Sequence, residues 1–248
     1  MSVRSLVLAL GVLSVGSVSA IAADLPVKAP IAVAPALYNW TGCYIGIEGG
    51  YKWGKSQHRF EDVGGITRDI TDKFNIDGGL AGGTVGCNYQ WPSTRWVIGI
   101  EGDWSWTDVK GGAFDLAPFF NPAFFSETEE KWLATFRGRV GWAFGATGNV
   151  LLYVTGGAAV ADIQINTDGP RPASVFFGSE SKTRWGWTAG IGIEWAFLPH
   201  WSVKGEYLYV DFGDDSYYCP VPPVGFVNRC SGVDVTQNIV RLGLNYKF

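Results

Sequence analysis

The sequence predicts an all-β protein, an eight-stranded antiparallel transmembrane β-barrel with long extracellular loops and short periplasmic turns. Three observations carry that reading. The closing segment VTQNIVRLGLNYKF alternates, with Val240, Leu242, Leu244, Tyr246 and Phe248 on one strand face and Arg241, Gly243, Asn245 and Lys247 on the other, because successive strand side chains point to opposite faces. Seven earlier segments follow the same period, and the connections between all eight alternate long and short, the asymmetry expected of outer-membrane barrels. The 34 Gly, 15 Phe, 10 Tyr and 12 Trp among 248 residues exceed what a helical protein usually carries, and Trp and Tyr favour membrane interfaces.

Taken in order, the chain opens with Arg4, an apolar run from Leu6 to Val18 and the small-residue stretch SVSAIAAD. This is the order of a secretory signal peptide, assigned to residues 1–22, and the run is too short to span a bilayer as a helix. Residues 23–40 hold three prolines and read as a periplasmic leader, and residues 41–248 as the barrel. No later window is apolar for long enough to form a membrane helix, so a membrane role must rest on strands.

The first strand is CYIGIEGGYKWG (43–54), with Ile45, Ile47, Tyr51 and Trp53 opposite Glu48 and Lys52. A Gly-rich second strand runs from about Phe74 to Trp91, and PSTR turns into WVIGIEGDWSW (96–106), where Trp and Ile oppose Glu101 and Asp103. The fourth, KWLATFRGRVGWAF (131–144), sets Trp132, Phe136, Val140 and Trp142 against Arg137 and Arg139. GATGN turns into VLLYVTGGAAVA (150–161), whose small residues blur the alternation. The sixth strand, Lys182 to Phe197, opposes its Trp and Ile residues to Arg184 and Glu194, and LPH leads into WSVKGEYLYVDF (201–212) with Lys204 and Glu206 on its polar face. The terminal segment is the eighth. Each strand reaches the roughly 9–11 residues a tilted strand needs to cross a bilayer, only a closed barrel satisfies every backbone amide in lipid, and an even strand number leaves both termini on the short-turn side.

A soluble barrel such as a lipocalin would show the same alternation with the faces reversed. Polar faces that mix acids, bases and Gly, against apolar faces with Trp and Tyr at the strand ends, favour apolar-out. The lumen is then expected to hold Glu48, Glu101, Asp103, Glu194 and Glu206 with Lys52, Arg137, Arg139, Arg184, Lys204, Arg241 and Lys247. An eight-stranded barrel is just wide enough for side chains to fill, and buried charge is expensive unless paired, so an interlocked plug is one reading. A narrow porin-like channel with weak anion preference, lined by the excess bases, is the other.

Four cysteines in an exported chain suggest disulfides. Cys219 and Cys230 bracket PVPPVGFVNR in the last loop and are expected to pair. Cys43 and Cys87 come level in the first hairpin on the outward face, where a bridge or two thiols would each fit. The loops carry Phe114, Phe119, Phe120, Phe124, Phe125, Phe176, Phe177, Tyr217, Tyr218 and Phe226, rings that either pack on one another or meet a surface ligand. The formal charge of −4 and the lack of a basic stripe argue against nucleic acid. His58, placed in the first loop beside Ser56 and Glu61, and His200 in a turn read as solvated rather than catalytic or metal-binding, so no enzyme activity, cofactor or metal is expected.

At WTGCYIGIEGGYKWG, GGLAGGTVGCNYQ, WVIGIEGDWSW, RGRVGWAF, LLYVTGGAAVA, TRWGWTAGIGIEWAF, WSVKGEYLYVDFG and NIVRLGLNYKF, with AADLP at the signal junction, the chain resembles the opacity-like outer-membrane immunogenic proteins of alphaproteobacteria. The resemblance spans essentially all of the mature chain. It implies an abundant barrel of the Gram-negative outer membrane that supports envelope integrity, is seen by host immune systems and carries no catalytic residues. The expected partners are outer-membrane lipid and lipopolysaccharide, the barrel-assembly machinery, which would read Tyr246 and Phe248, and a host or surface ligand at the loops. Cys43 and Cys87 depart from this pattern, standing where aromatic residues are expected.

Overall fold

The computed structural model describes residues 37–61, 67–117, 125–168, 178–213, 217–218 and 230–248. Eight strands make the wall: β1 Gly42–Glu61, β2 Phe74–Gln90, β3 Trp96–Phe114, β4 Phe125–Phe144, β5 Val150–Asp168, β6 Gly178–Ala196, β7 Trp201–Asp211 and β8 Cys230–Lys247. Each pairs antiparallel with its sequence neighbour, and β8 pairs with β1 from Tyr44↔Lys247 to Glu61↔Cys230, which closes the barrel. Two short pieces, Thr67–Asp69 and Tyr217–Tyr218, extend the sheet from β1 and β8.

Three connections, 91–95, 145–149 and 197–200, lie at one end, here the turn end. The other strand ends, where β1 leads toward β2, β3 toward β4, β5 toward β6 and β7 toward β8, lie at the opposite end, here the loop end.

The strands outrun their expected lengths at the loop end. β1 continues to Glu61 rather than Gly54, β3 to Phe114 rather than Trp106, β4 starts at Phe125 rather than Lys131, and β5 reaches Asp168 rather than Ala161. The added stretches, such as KSQHRFE and SETEE, are polar on both faces, so they lack the alternation by which lipid-facing strand is recognised. Phe114 and Phe125 thereby leave the loops and become cross-strand partners with rings 5.2 Å apart. Phe119, Phe120, Phe124, Phe176, Phe177 and Phe226 lie outside the described residues.

The apolar faces point outward. Ile47, Val85, Ile100, Phe136, Val154 and Leu242 are each more than half exposed, and they form a belt between two aromatic rings. Tyr89, Trp96, Phe144, Trp195 and Tyr246 mark the turn end, and Trp53, Trp106, Trp185 and Trp187 the loop end. An exposed apolar belt flanked by aromatic girdles is the outer surface of a membrane barrel.

The barrel interior as candidate functional site

Inward side chains fill the barrel in layers. At the turn end Trp40, 2% exposed, packs with Val97, Ala143, Leu151 and Ala196. Leu37–Thr41 crosses the mouth: Tyr38 N donates to Thr147 O at 2.8 Å and Trp40 Nε1 to Gly148 O at 2.8 Å, both on the β4–β5 turn across the barrel from β1. Trp40, assigned to the leader, is therefore part of the filling.

Lys247, expected in the lumen charge network, is instead half-buried at this rim. It donates to Asn39 O and lies 4.2 Å from the Tyr38 ring centroid. Burial and the Glu194 carboxylate push the Tyr38 phenol up to about 12, so it stays neutral beside that ammonium.

Above the Trp40 layer, Arg139 lies 5.0 Å from the ring centroids of both Tyr44 and Tyr153. It donates from Nε to Asn88 Oδ1 at 2.8 Å and from Nη1 to Glu194 Oε2 at 3.1 Å. Glu194 Oε1 also accepts from Ser202 Oγ at 2.6 Å and Asn245 Nδ2 at 2.9 Å. The two tyrosines fit because β2 and β6 carry glycines opposite them: a Cβ on Gly86 would stand 2.3 Å from Tyr44 Oη, and one on Gly192 2.3 Å from Tyr153 Cζ. Tyr44 Oη donates to Glu101 Oε2 at 2.5 Å and joins this layer to the next.

The central layer is a closed ring of charge. Arg137 donates to Glu206 Oε1 at 2.8 Å, Asp103 Oδ2 at 2.9 Å and Glu101 Oε1 at 2.5 Å. Arg241 donates from Nε to Glu206 Oε2 at 2.8 Å, grips Asp103 through both terminal nitrogens at 3.0 Å each, and reaches Glu48 Oε1 at 2.5 Å. Lys204 Nζ bonds Glu101 at 2.9 Å and lies 3.5 Å from Glu48 Oε2. Every carboxylate in this ring touches at least two cations, the arrangement that offsets the desolvation of buried ions.

One layer nearer the loop end, Lys52 pairs with Glu130, whose Oε2 accepts from Gln237 Nε2 at 2.6 Å. Ser56 lies 3.1 Å and His58 Nε2 2.9 Å from Thr128 Oγ1. His58 is 2% exposed on an extended β1, so the solvated-loop reading of this residue is overturned. An apolar cluster lies beside these polar groups, with Ile76, Leu133, Ile163, Val210, Val235 and Ile239 fully buried and Ile239 and Val235 directly opposite Lys52 and Ser56. Arg184 spans the wall where β7 stops at Asp211, donating to Val233 O at 2.6 Å and Gly213 O at 2.6 Å.

Glu130 is the charge that sequence parity misses. A bulge shifts the register of β4 against both neighbours between Glu130 and Trp132, so Ser126, Thr128 and Glu130 face inward, as do the odd-numbered Leu133, Thr135, Arg137 and Arg139. An extra residue in a strand moves every side chain beyond it to the other face. With Glu130 added and Lys247 removed, the buried charges among the described residues are six acids and six bases, in place of the expected five against seven.

Cys43 and Cys87 are bridged, directly opposite each other on β1 and β2. Cys219 lies outside the described residues, as does the Cys230 side chain, and with them that expected pairing. The described residues hold no group of three or more His, Cys, Asp or Glu able to bind a metal ion.

A family model described as outer membrane protein beta-barrel domain matches residues 8–248. The chain is 34% identical over 255 residues to the 31 kDa outer-membrane immunogenic protein of Brucella melitensis, covering 99% of this chain and all of that one. It is 31% identical over 252 residues to the 25 kDa outer-membrane immunogenic protein of Brucella abortus, covering 100% and 99%. A 22 kDa outer membrane protein of Rhizobium leguminosarum is 30% identical over 212 residues, covering 85% of this chain and 79% of its own.

Proposed function

Because the chain belongs to the outer-membrane protein β-barrel family and is an outer-membrane protein of a Gram-negative bacterium, we propose that it is a structural wall protein, closed to solutes, that displays its loop end at the cell surface. The observation that carries this reading is the filled interior. An electrically balanced set of paired charges fills the middle of the barrel, with one apolar cluster beside it toward the loop end and another, held by Trp40, at the turn end.

A conducting barrel needs a continuous polar path, with sites that bind an ion weakly enough to release it. Here the central carboxylates are each held by several cations. The balance of six against six also removes the excess of bases on which an anion-preferring channel would depend.

A surface role is supported by strands that continue past the loop-end aromatic ring, as β4 does from Trp132 to Phe125. Relatives named as immunogenic support exposure to a host. A non-enzymatic role is supported by the same names and by the histidines: His58 is buried among hydroxyls, and His200 is bound to the Lys247 carbonyl.

Purified protein refolded into liposomes is expected to leave them impermeable to small sugars and ions. Swelling rates that rise with protein content would contradict the closed-wall reading.

A further inference from the structure

The Cys43–Cys87 bridge joins β1 to β2 at the turn end, where no short connection links the two strands. At the turn end, short connections join β2 to β3, β4 to β5 and β6 to β7. β1 has no such connection to β2 there; its link to β2 runs through 62–73 at the far end. Ten of the fifteen register pairs from Gly42↔Asn88 to Ser56↔Phe74 contain a glycine, so beyond the Tyr44–Gly86 fit and the Tyr51–Asp77 hydrogen bond few side-chain pairs mark the register. Gly-rich pairing is prone to slip, and a one-residue slip would turn Glu48 and Lys52 toward lipid. β1 is also the edge onto which β8 must add to close the barrel.

The bridge lies on the outward face. Cys43 and Cys87 are both exposed, with Ile45 next along β1, Val85 and Tyr89 on β2, and Ile100 opposite on β3. The bridge lies at the level of the turn-end aromatic ring marked by Tyr89 and Tyr246, where the lipid interface disfavours the thiolates and charged reagents that thiol–disulfide exchange requires.

We infer that this disulfide is a register pin for the first hairpin, installed before membrane insertion by a thiol–disulfide oxidoreductase acting on the unfolded or partly folded chain. One cysteine thiolate attacks the enzyme's disulfide to give a mixed disulfide. The second displaces the enzyme's thiolate, so the chain loses two electrons and two protons and the enzyme leaves as its dithiol. Closure by β8 then carries the bridge to the lipid interface at the turn end.

The test uses the full mature chain with Cys219→Ser and Cys230→Ser, refolded from urea into lipid vesicles, with the folded fraction read by heat-modifiable gel mobility. The bridged chain is expected to fold in several-fold higher yield than the same chain reduced, with Cys43→Ser/Cys87→Ser matching the reduced chain. Two relocated bridges separate register from a general tethering effect. In Cys43→Ser/Cys87→Ser, an added Ile45→Cys/Val85→Cys pair joins true register partners and is expected to restore the yield. Ile45→Cys with Cys43→Ser and Cys87 retained joins residues two positions out of register and is expected not to. Equal yields from the in-register and off-register bridges, or from bridged and reduced chains, would overturn the pin.

The order of events is read separately, by adding a charged water-soluble reductant to bridged barrels in vesicles and to the same chain in urea. The folded barrel is expected to hold its bridge while the unfolded chain loses it. Equal reduction rates would overturn oxidation before insertion.

Discussion

At the scale of single residues, the interior makes each charge dependent on its partners. Lys52 is fully buried against Glu130, and removing one partner of a buried pair leaves the other desolvated without compensation, at a cost of about 3–5 kcal/mol. Glu130→Ala should therefore lower the free energy of unfolding of the refolded barrel by that amount, seen as a lower urea midpoint, whereas Lys110→Ala, which breaks an exposed pair with Glu129, should leave the midpoint where it is. Trp40→Ala empties the turn-end layer and should cost about 3–5 kcal/mol in the same assay, as large-to-small changes of buried aromatics do. Glu130 and Trp40 were also the residues hardest to find by reading. The first sits behind a bulge that period-two counting does not register. The second stands in a stretch whose prolines suggest a linker, and only contact with the far turn reveals its place.

At the scale of the strand, alternation was legible wherever one face meets lipid. From Tyr44 to Trp53 on β1, and from Val240 to Tyr246 on β8, each residue faces as the pattern requires. A charge on the outward face should consequently be far worse than one on the inward face. Leu242→Arg, near the middle of the apolar belt, is expected to destabilise the barrel by about 2–4 kcal/mol, measured by reversible unfolding in lipid. An unchanged midpoint would mean that Leu242 does not face acyl chains. Above the loop-end ring the pattern fails for a physical reason: both faces of a strand standing in water can be polar, so the KSQHRFE part of β1 reads as a loop although it pairs with β8 to Glu61. Part of the loop-side apolar cluster was hidden as well, since Ile163, Ile165 and Val233 belong to segments that read as connections.

At the scale of the whole molecule, closure and filling are one design. Eight strands enclose a space that side chains can occupy completely, and the chain fills it with paired charges and two apolar clusters. The strand number, the apolar-out orientation and most of the lumen charges could be read from the sequence, because lipid outside and a narrow interior leave few alternatives. The charge balance could not, because it turns on one bulge and one rim lysine. The central claim is that this filling closes the barrel to ions, and single-channel recording in planar bilayers tests it most directly. Purified protein, shown to be folded by heat-modifiable mobility, is expected to leave the bilayer silent at all applied voltages. Steady openings whose amplitude changes when Arg137 or Arg241 is neutralised would contradict it.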